Sequence, residues 1–218
     1  MDKKEVIKKI VKYLEQNFKN ESTGHDYWHF IRVWKTAKNI AQKEGGDLFI
    51  IELGALLHDI ADWKFSGGTN EIGIKKAKTL LKGFNVDEKI INQVCYIIDN
   101  ISFKGAKVKN SMATKEGKIV QDADKLDAIG AIGIARAFAY GGKAGREIYN
   151  PDIKPEVHTS FEEYKNSKGT SINHFYEKLL LLKNKMNTKT GKIIATKKHK
   201  IMQDYLKEFF KEWDGEYN

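Results

Sequence analysis

The chain has 218 residues, 41% of them apolar, and carries 38 Lys and Arg against 29 Asp and Glu for a net charge of +9. This length and composition supply one substantial core with room for a small appended region, so a single domain over residues 1–218 is expected. A lone cysteine, Cys95, excludes an intramolecular disulfide framework and a thiolate-rich structural zinc site.

The basic excess concentrates anionic partners, whether nucleic acid or phosphorylated metabolites. Much of it is lysine in KKEVIKK, EIGIKKAK and ATKKHK, which reads first as a solvated helix face and only second as a nucleic-acid groove. The first twenty residues are charged and amphipathic, with no apolar signal stretch, and no apolar run reaches the roughly 18 residues that span a bilayer. A cytoplasmic protein without membrane contact is expected. The oligomeric state is not legible here.

Val6, Ile7, Ile10, Val11 and Leu14 fall at helical spacing, and Phe30, Val33, Ala37, Ile40 and Ala41 repeat the pattern. Leu48 to Ile60 is almost continuously apolar apart from Glu52, His58 and Asp59, which predicts a central helix buried on most sides with a polar end that needs a partner. A helix is predicted from about Asn70 to Leu81. Another starts behind Asn85, with Glu88 three residues later resembling a capping box, and reaches about Asn100.

Lys118 to Tyr140 reads as one core helix, its small residues allowing close approach despite the cost of Gly130 and Gly133. The stretch 141–160 holds three glycines and both prolines, so regular structure should fail there, leaving a lid or cover loop. Thr170 is placed to cap a helix through Met186, and Thr188 a last helix reaching Trp213. No strand alternation and no internal repeat is visible, so the fold should be all-α. The motif-bearing core covers about 21–140, followed by that loop and by C-terminal helices over 170–213.

Four side chains carry the chemistry: His29, the adjacent pair His58 and Asp59, and Asp124 in QDADKLDA. Two imidazole nitrogens and two carboxylate oxygens suit a divalent cation such as manganese, iron, cobalt, nickel or zinc, with positions left for water and substrate. His58 and Asp59 diverge by about 100° on regular helical geometry, so a shared ion must sit against that edge. Taken singly, each residue is equally well a helix cap or a satisfied hydrogen-bonding group. Burying an ionisable pair inside LGALLHDIADW is costly unless something pairs with both groups.

Asp62 follows His58 by four residues and shares its face if the helix persists, which makes it a candidate proton-transfer group or a local cap. Lys64 and Lys104 are candidate phosphate contacts as point charges, against the commoner solvated lysine. Arg32, three residues after His29, divides between substrate contact and structural pairing. His174 and Lys178, four residues apart, read as an exposed pair. Trp28, Trp63 and Phe65 flank the candidate ligands as base-stacking or core aromatics. There is no P-loop, no HExxH and no dinucleotide-binding glycine fingerprint.

The segments GHDYWHFIRVWKTA, LGALLHDIADWKF and IVQDADKLDAIGAIGIARAF resemble, in the order His, His-Asp, Asp, the HD superfamily of metal-dependent phosphohydrolases. NISFKG and TSINHFYEKLLLLKNKMNTKTGK extend the likeness to a bacterial subgroup of small HD hydrolases. The resemblance implies a helical bundle, with His29, His58, Asp59 and Asp124 as metal ligands, Asp122 a nearby rival for the last role, and Asp62 the acidic residue after the HD dipeptide. It also makes His174 and Lys178 suspects for a pocket wall.

Binuclear members draw extra histidines from an interval that is empty here between His58 and His158. One divalent ion is therefore implied, with manganese favoured over magnesium, cobalt, nickel, iron or zinc, and di-iron oxygenase chemistry disfavoured. Similar proteins act on nucleoside monophosphates, deoxynucleoside triphosphates or signalling nucleotides. A (deoxy)nucleoside triphosphate releasing pyrophosphate is the leading expectation. A 5′-nucleotidase or signalling-nucleotide hydrolase comes next, and a basic nucleic-acid-binding or regulatory protein without turnover is the competing class.

Overall fold

The structure is a computed structural model that describes residues 2–19, 26–60, 70–101, 112–156 and 169–217. Among them there is no strand, and no helix is long and apolar enough to cross a membrane. The described residues up to Asp124 form one compact unit and those from Lys125 onward a second.

In the first unit, α1 (Lys3–Phe18) buries Val6, Ile7, Ile10 and Leu14, and α2 (Tyr27–Glu44) buries Phe30, Val33, Ala37, Ile40 and Ala41, as their spacing predicts. The α3 helix (Leu48–Leu57) starts where the Asp47 carboxylate accepts from the Phe49 and Ile50 amides. It is buried on nearly every side and packs against α1, α2 and α5. At Gly54 a Cβ would come within 3.2 Å of Ile97 and 3.3 Å of Val120, so glycine admits the two neighbouring helices to the centre of the core.

α4 (Glu71–Gly83) and α5 (Glu88–Asn100) form a packed pair. The Asn70 side chain donates to the Ile98 and Asp99 carbonyls, tying the entry of α4 to the last turn of α5. The capping residue of α5 is Asp87, whose carboxylate accepts from Lys89, and not Asn85. Asn85 instead takes a left-handed φ of 53° just after α4, a role that asparagine fills better than most residues.

α6 runs Lys115–Asp127, with Ile119, Val120, Ala123 and Leu126 fully buried. The single helix expected over Lys118–Tyr140 is two: Gly130 adopts φ +74°, and a separate α7 (Gly130–Lys143) begins there. Only glycine enters that region without steric cost, so the residue that looked like a tolerated helix-weakener is the break itself.

In the second unit, α7 packs on the long α9 (Lys189–Trp213), which opens where Thr188 Oγ1 accepts from the Gly191 amide. Thr170 likewise accepts from the Asn173 amide, but the helix it opens, α8 (Asn173–Glu177), stops at Lys178 instead of reaching Met186. Leu179–Lys185 winds as a 3₁₀ helix. Its buried residues Leu179 and Leu182 are three apart, a spacing that three residues per turn lines up on one side.

The break expected from 141 begins later: Gly141 and Gly142 lie in the last turn of α7, and it is residues 144–156, with Gly145, Pro151 and Pro155, that lack helix. They are pinned by Ser171 N to the Glu147 carbonyl at 2.9 Å, Ile172 N to the Ile148 carbonyl at 3.0 Å and Asn173 Nδ2 to the Ile153 carbonyl at 2.8 Å. The rest of the expected lid, from 157, lies outside the described residues. Phe175, fully buried, stacks on Tyr205 at 5.8 Å, and nearer the surface Tyr149 meets the half-exposed Trp213 edge-on at 4.9 Å.

Candidate metal centre

The site is assembled from three helix ends of the first unit. Asp26 caps α2 by accepting from the His29 amide at 3.0 Å, so the cap fixes the turn that carries the first imidazole. His29 is fully buried. α3 ends at Leu57, His58 is its C-cap, and the chain leaves through a tighter turn in which Ile60 N donates to the Leu57 carbonyl at 3.2 Å. His58 and Asp59 therefore sit where the helix has stopped, and the divergence expected on a continuing helix no longer applies to Asp59. Asp124 comes from the last turns of α6.

These groups converge. His29 Nε2 faces His58 Nε2 at 3.1 Å. Asp124 Oδ1 lies 3.7 Å from the first and 3.6 Å from the second, and Asp59 Oδ2 lies 3.9 Å from His29 Nε2. The donor atoms of His29, His58 and Asp59 all fall within 4.8 Å of one another. Asp122, the rival on the same helix, is fully buried, whereas the Asp124 side chain is about one-third exposed and aimed at both imidazoles.

The donor set fits a divalent cation. His58 Nδ1 lies 2.9 Å from the Ala55 carbonyl, an acceptor, so in the neutral ring Nδ1 carries the proton and Nε2 turns its lone pair to the cluster. Two nitrogens and two carboxylate oxygens, without sulfur, form the borderline-to-hard set that such ions take. Neither the Asp26 cap nor the Ala55 carbonyl was singled out from the sequence. Asp26, three residues before the buried His29, carried the signal of an N-cap.

Electrostatics agree with that reading. Burial alone would lower the His58 pKa, but the Asp124 carboxylate against it, the charge of Asp59 and the Ala55 carbonyl override burial and raise it to about 9. Burial alone would raise Asp124, but His58 beside it and the charge of His29 bring it down to about 2. The group raised above its ordinary 6.5 stabilises the metal-stripped fold fully below that value and loses this as pH rises through about 9. The depressed carboxylate contributes above its ordinary 3.8 and loses this as pH falls through about 2. A cation held by His58 would have to displace its proton. Apparent affinity for a divalent ion should then climb with pH, by roughly tenfold per unit below about 9, as isothermal titration at several pH values can measure.

Other residues singled out from the sequence are placed less centrally or not at all. Arg32 is half-buried on α2, one turn beyond His29. His174 on α8 and Lys178 just past its end belong to the second unit, both half-buried; the helix they were expected to share ends at Glu177. Trp28 is 59% exposed and so is not a core aromatic. Asp62, Trp63, Lys64, Phe65 and Lys104 lie outside the described residues. The placing of Asp62 on the face of His58 was conditional on the helix persisting, and α3 ends at Leu57.

A helical unit whose helix ends bring two imidazoles and two carboxylates to one point has the make-up of a metal-dependent hydrolase. The family model for the HD domain matches residues 27–129, a span that contains all four converging residues. YpgQ of Bacillus subtilis, an uncharacterised protein, is 36% identical over 197 residues, covering 90% of this chain and 88% of its own length. The crystal structure of YpgQ in complex with ADP superposes with a TM-score of 0.74 over 94% of this chain and 97% of that one, at 34% identity. That of an HD-superfamily hydrolase from Bacillus thuringiensis gives 0.75 at 42% identity, over 97% and 98%. A Lactobacillus plantarum protein gives 0.85 at 36% identity, over 99% and 100%. The chain belongs to the HD family and is a metal-dependent phosphohydrolase of that family.

Proposed function

We propose that the protein hydrolyses a nucleotide, a (deoxy)nucleoside triphosphate with release of pyrophosphate, using one divalent ion held by His29, His58, Asp59 and Asp124, with Mn2+ the favoured ion. The observation that carries this is the pair of facing imidazoles of His29 and His58, 3.1 Å apart, with Asp124 3.6–3.7 Å from both and Asp59 3.9 Å from His29. The nucleotide is supported by ADP in the crystals of the similar YpgQ. The net charge of +9 favours approach of a polyanion.

When bound, the cation supplies Lewis acidity to a phosphoryl oxygen and acidifies water. The chain's own groups do the rest. Two carboxylates offset a divalent charge while the imidazoles bind as neutral donors, so the centre does not repel an incoming phosphate chain. The Ala55 carbonyl keeps the His58 proton on Nδ1, away from the ion. Asp62 is assigned the proton transfer that accompanies attack at phosphorus. Arg32, Lys64 and Lys104 are assigned to the phosphates, the arginine as a planar fork and the lysines as point charges.

The test is a screen of metal-stripped protein against deoxy- and ribonucleoside mono-, di- and triphosphates, with each divalent ion restored in turn. Pyrophosphate and a nucleoside monophosphate from a triphosphate is the expected result, with turnover only in the presence of an ion. Orthophosphate from a monophosphate would replace this reading with a nucleotidase. No turnover with any ion would reject both, and steeply salt-dependent binding of nucleic acid in its place would support the non-catalytic class.

A further inference from the structure

We infer that Lys198 is a positioning residue for the metal centre: its ammonium clamps the end of α6 and thereby sets the direction in which Asp124 points. The inference rests on the assignment of Asp124 as a ligand and extends it to a residue of the C-terminal helix.

Asp124 lies one turn before the end of α6, and the residues that follow it are each held by a different element of the second unit. Lys125 Nζ donates to the Lys185 carbonyl on the 3₁₀ helix at 2.8 Å. The Leu126 carbonyl accepts from Lys198 Nζ of α9 at 2.8 Å, and the Ile129 carbonyl accepts from the same ammonium at 3.4 Å. The Asp127 carboxylate is paired with Arg136 of α7 at 2.8 Å, with the aspartate 5% and the arginine 16% exposed. Carbonyls at a helix C-terminus lack partners within the helix and carry the negative end of its dipole, so a cation is the favoured cap.

The fit around Lys198 is tight. At Gly130 a Cβ would come within 3.0 Å of Lys198 Cβ and Cγ. The lysine stem thus lies across the point where α6 gives way to α7, and the left-handed glycine both turns the chain and makes room for it.

The mechanism is rotational. A slip of one residue in a helix turns every side chain by about 100° and shifts it by about 1.5 Å. Asp124 Oδ1 lies 3.6–3.7 Å from both imidazoles and cannot keep that aim through such a change. Asp124 has no covalent continuation to the histidines except the long way round the chain. Ile119, Val120 and Ala123 seat the body of α6, so what the clamps bear on is its last turn, which carries Asp124 and whose carbonyls need caps; among the described residues Lys198 is the one of these clamps that takes two carbonyls at once.

The experiment compares Mn2+ affinity, by calorimetric titration of the full chain well below its melting temperature, in Lys198→Met, Lys198→Arg and Asp124→Ala. Removing a group that orients a ligand costs on the order of 10–100-fold in metal affinity, so Lys198→Met should weaken Mn2+ binding by at least about tenfold, and Lys198→Arg should restore most of it. In an Asp124→Ala background the lysine change should cost nothing further, because the group it positions is gone. Unchanged Mn2+ affinity in Lys198→Met, or an equal loss in the Asp124→Ala background, would overturn the inference. If Asp124→Ala itself binds Mn2+ as tightly as the parent, it is the ligand assignment that fails, and the two failures are separable. Should Lys198→Met not fold, Arg136→Gln, which loosens the neighbouring clamp at Asp127, carries the same expectations and the same refutation.

Discussion

Asp59→Ala should leave a folded protein that neither retains a divalent ion nor turns over substrate. Asp59 supplies one of the two carboxylates facing the imidazoles, with Oδ2 3.9 Å from His29 Nε2 and the side chain 16% exposed. Its loss removes a donor and leaves two facing imidazoles with one carboxylate to offset the charge of an ion. Loss of a residue that only orients a ligand already costs about 10–100-fold in affinity, so loss of a ligand should exceed that. Lewis-acid stabilisation is worth several kcal/mol, and at about 1.4 kcal/mol per tenfold the rate should fall by roughly three orders of magnitude or more. Elemental analysis after gel filtration, read beside the specific activity, checks both at once. Turnover at the parent rate would reject the ligand set. Asp59→Asn, which keeps an oxygen donor but no charge, should fall between the two.

The parts of this molecule legible in its sequence are those fixed by local physics. The apolar spacing of α1 and α2, the apolar run of α3 and the Thr188 cap all report forces that act within a few residues, and each element begins where those forces place it, though α3 stops at Leu57, short of the expected Ile60. The break at Gly130 was not legible, because a glycine that is tolerated in a helix and one that ends it look alike in a list of residues. What separates them is the sign of φ, and at Gly130 it is positive where the Lys198 stem, from far along the chain, leaves no room for a Cβ. The same holds for Leu179–Lys185, where the residues suit an α-helix and burial at intervals of three selects the tighter turn.

The site divides in a similar way. Which residue types could bind a cation was readable from His29, His58, Asp59 and Asp124 themselves. How His58 and Asp59 could serve one centre was not, since it depends on α3 ending at Leu57. The orientation of His58 by a main-chain carbonyl leaves no trace in residue type at all.

That early end of α3 bears directly on Asp62. The helical argument for it rested on α3 continuing past His58, and α3 ends at Leu57. What then recommends it is chemistry. An attacking water must lose a proton and a departing phosphate oxygen gains from receiving one, and neither His29 nor His58 can do this while its lone pair is committed to an ion. Proton transfer by a placed side chain contributes about 10²–10⁴-fold, so Asp62→Asn should lower kcat by that factor while the ion is retained and KM moves little. Metal loss in Asp62→Asn would make Asp62 a ligand instead, and parental kcat would move the proton to another group.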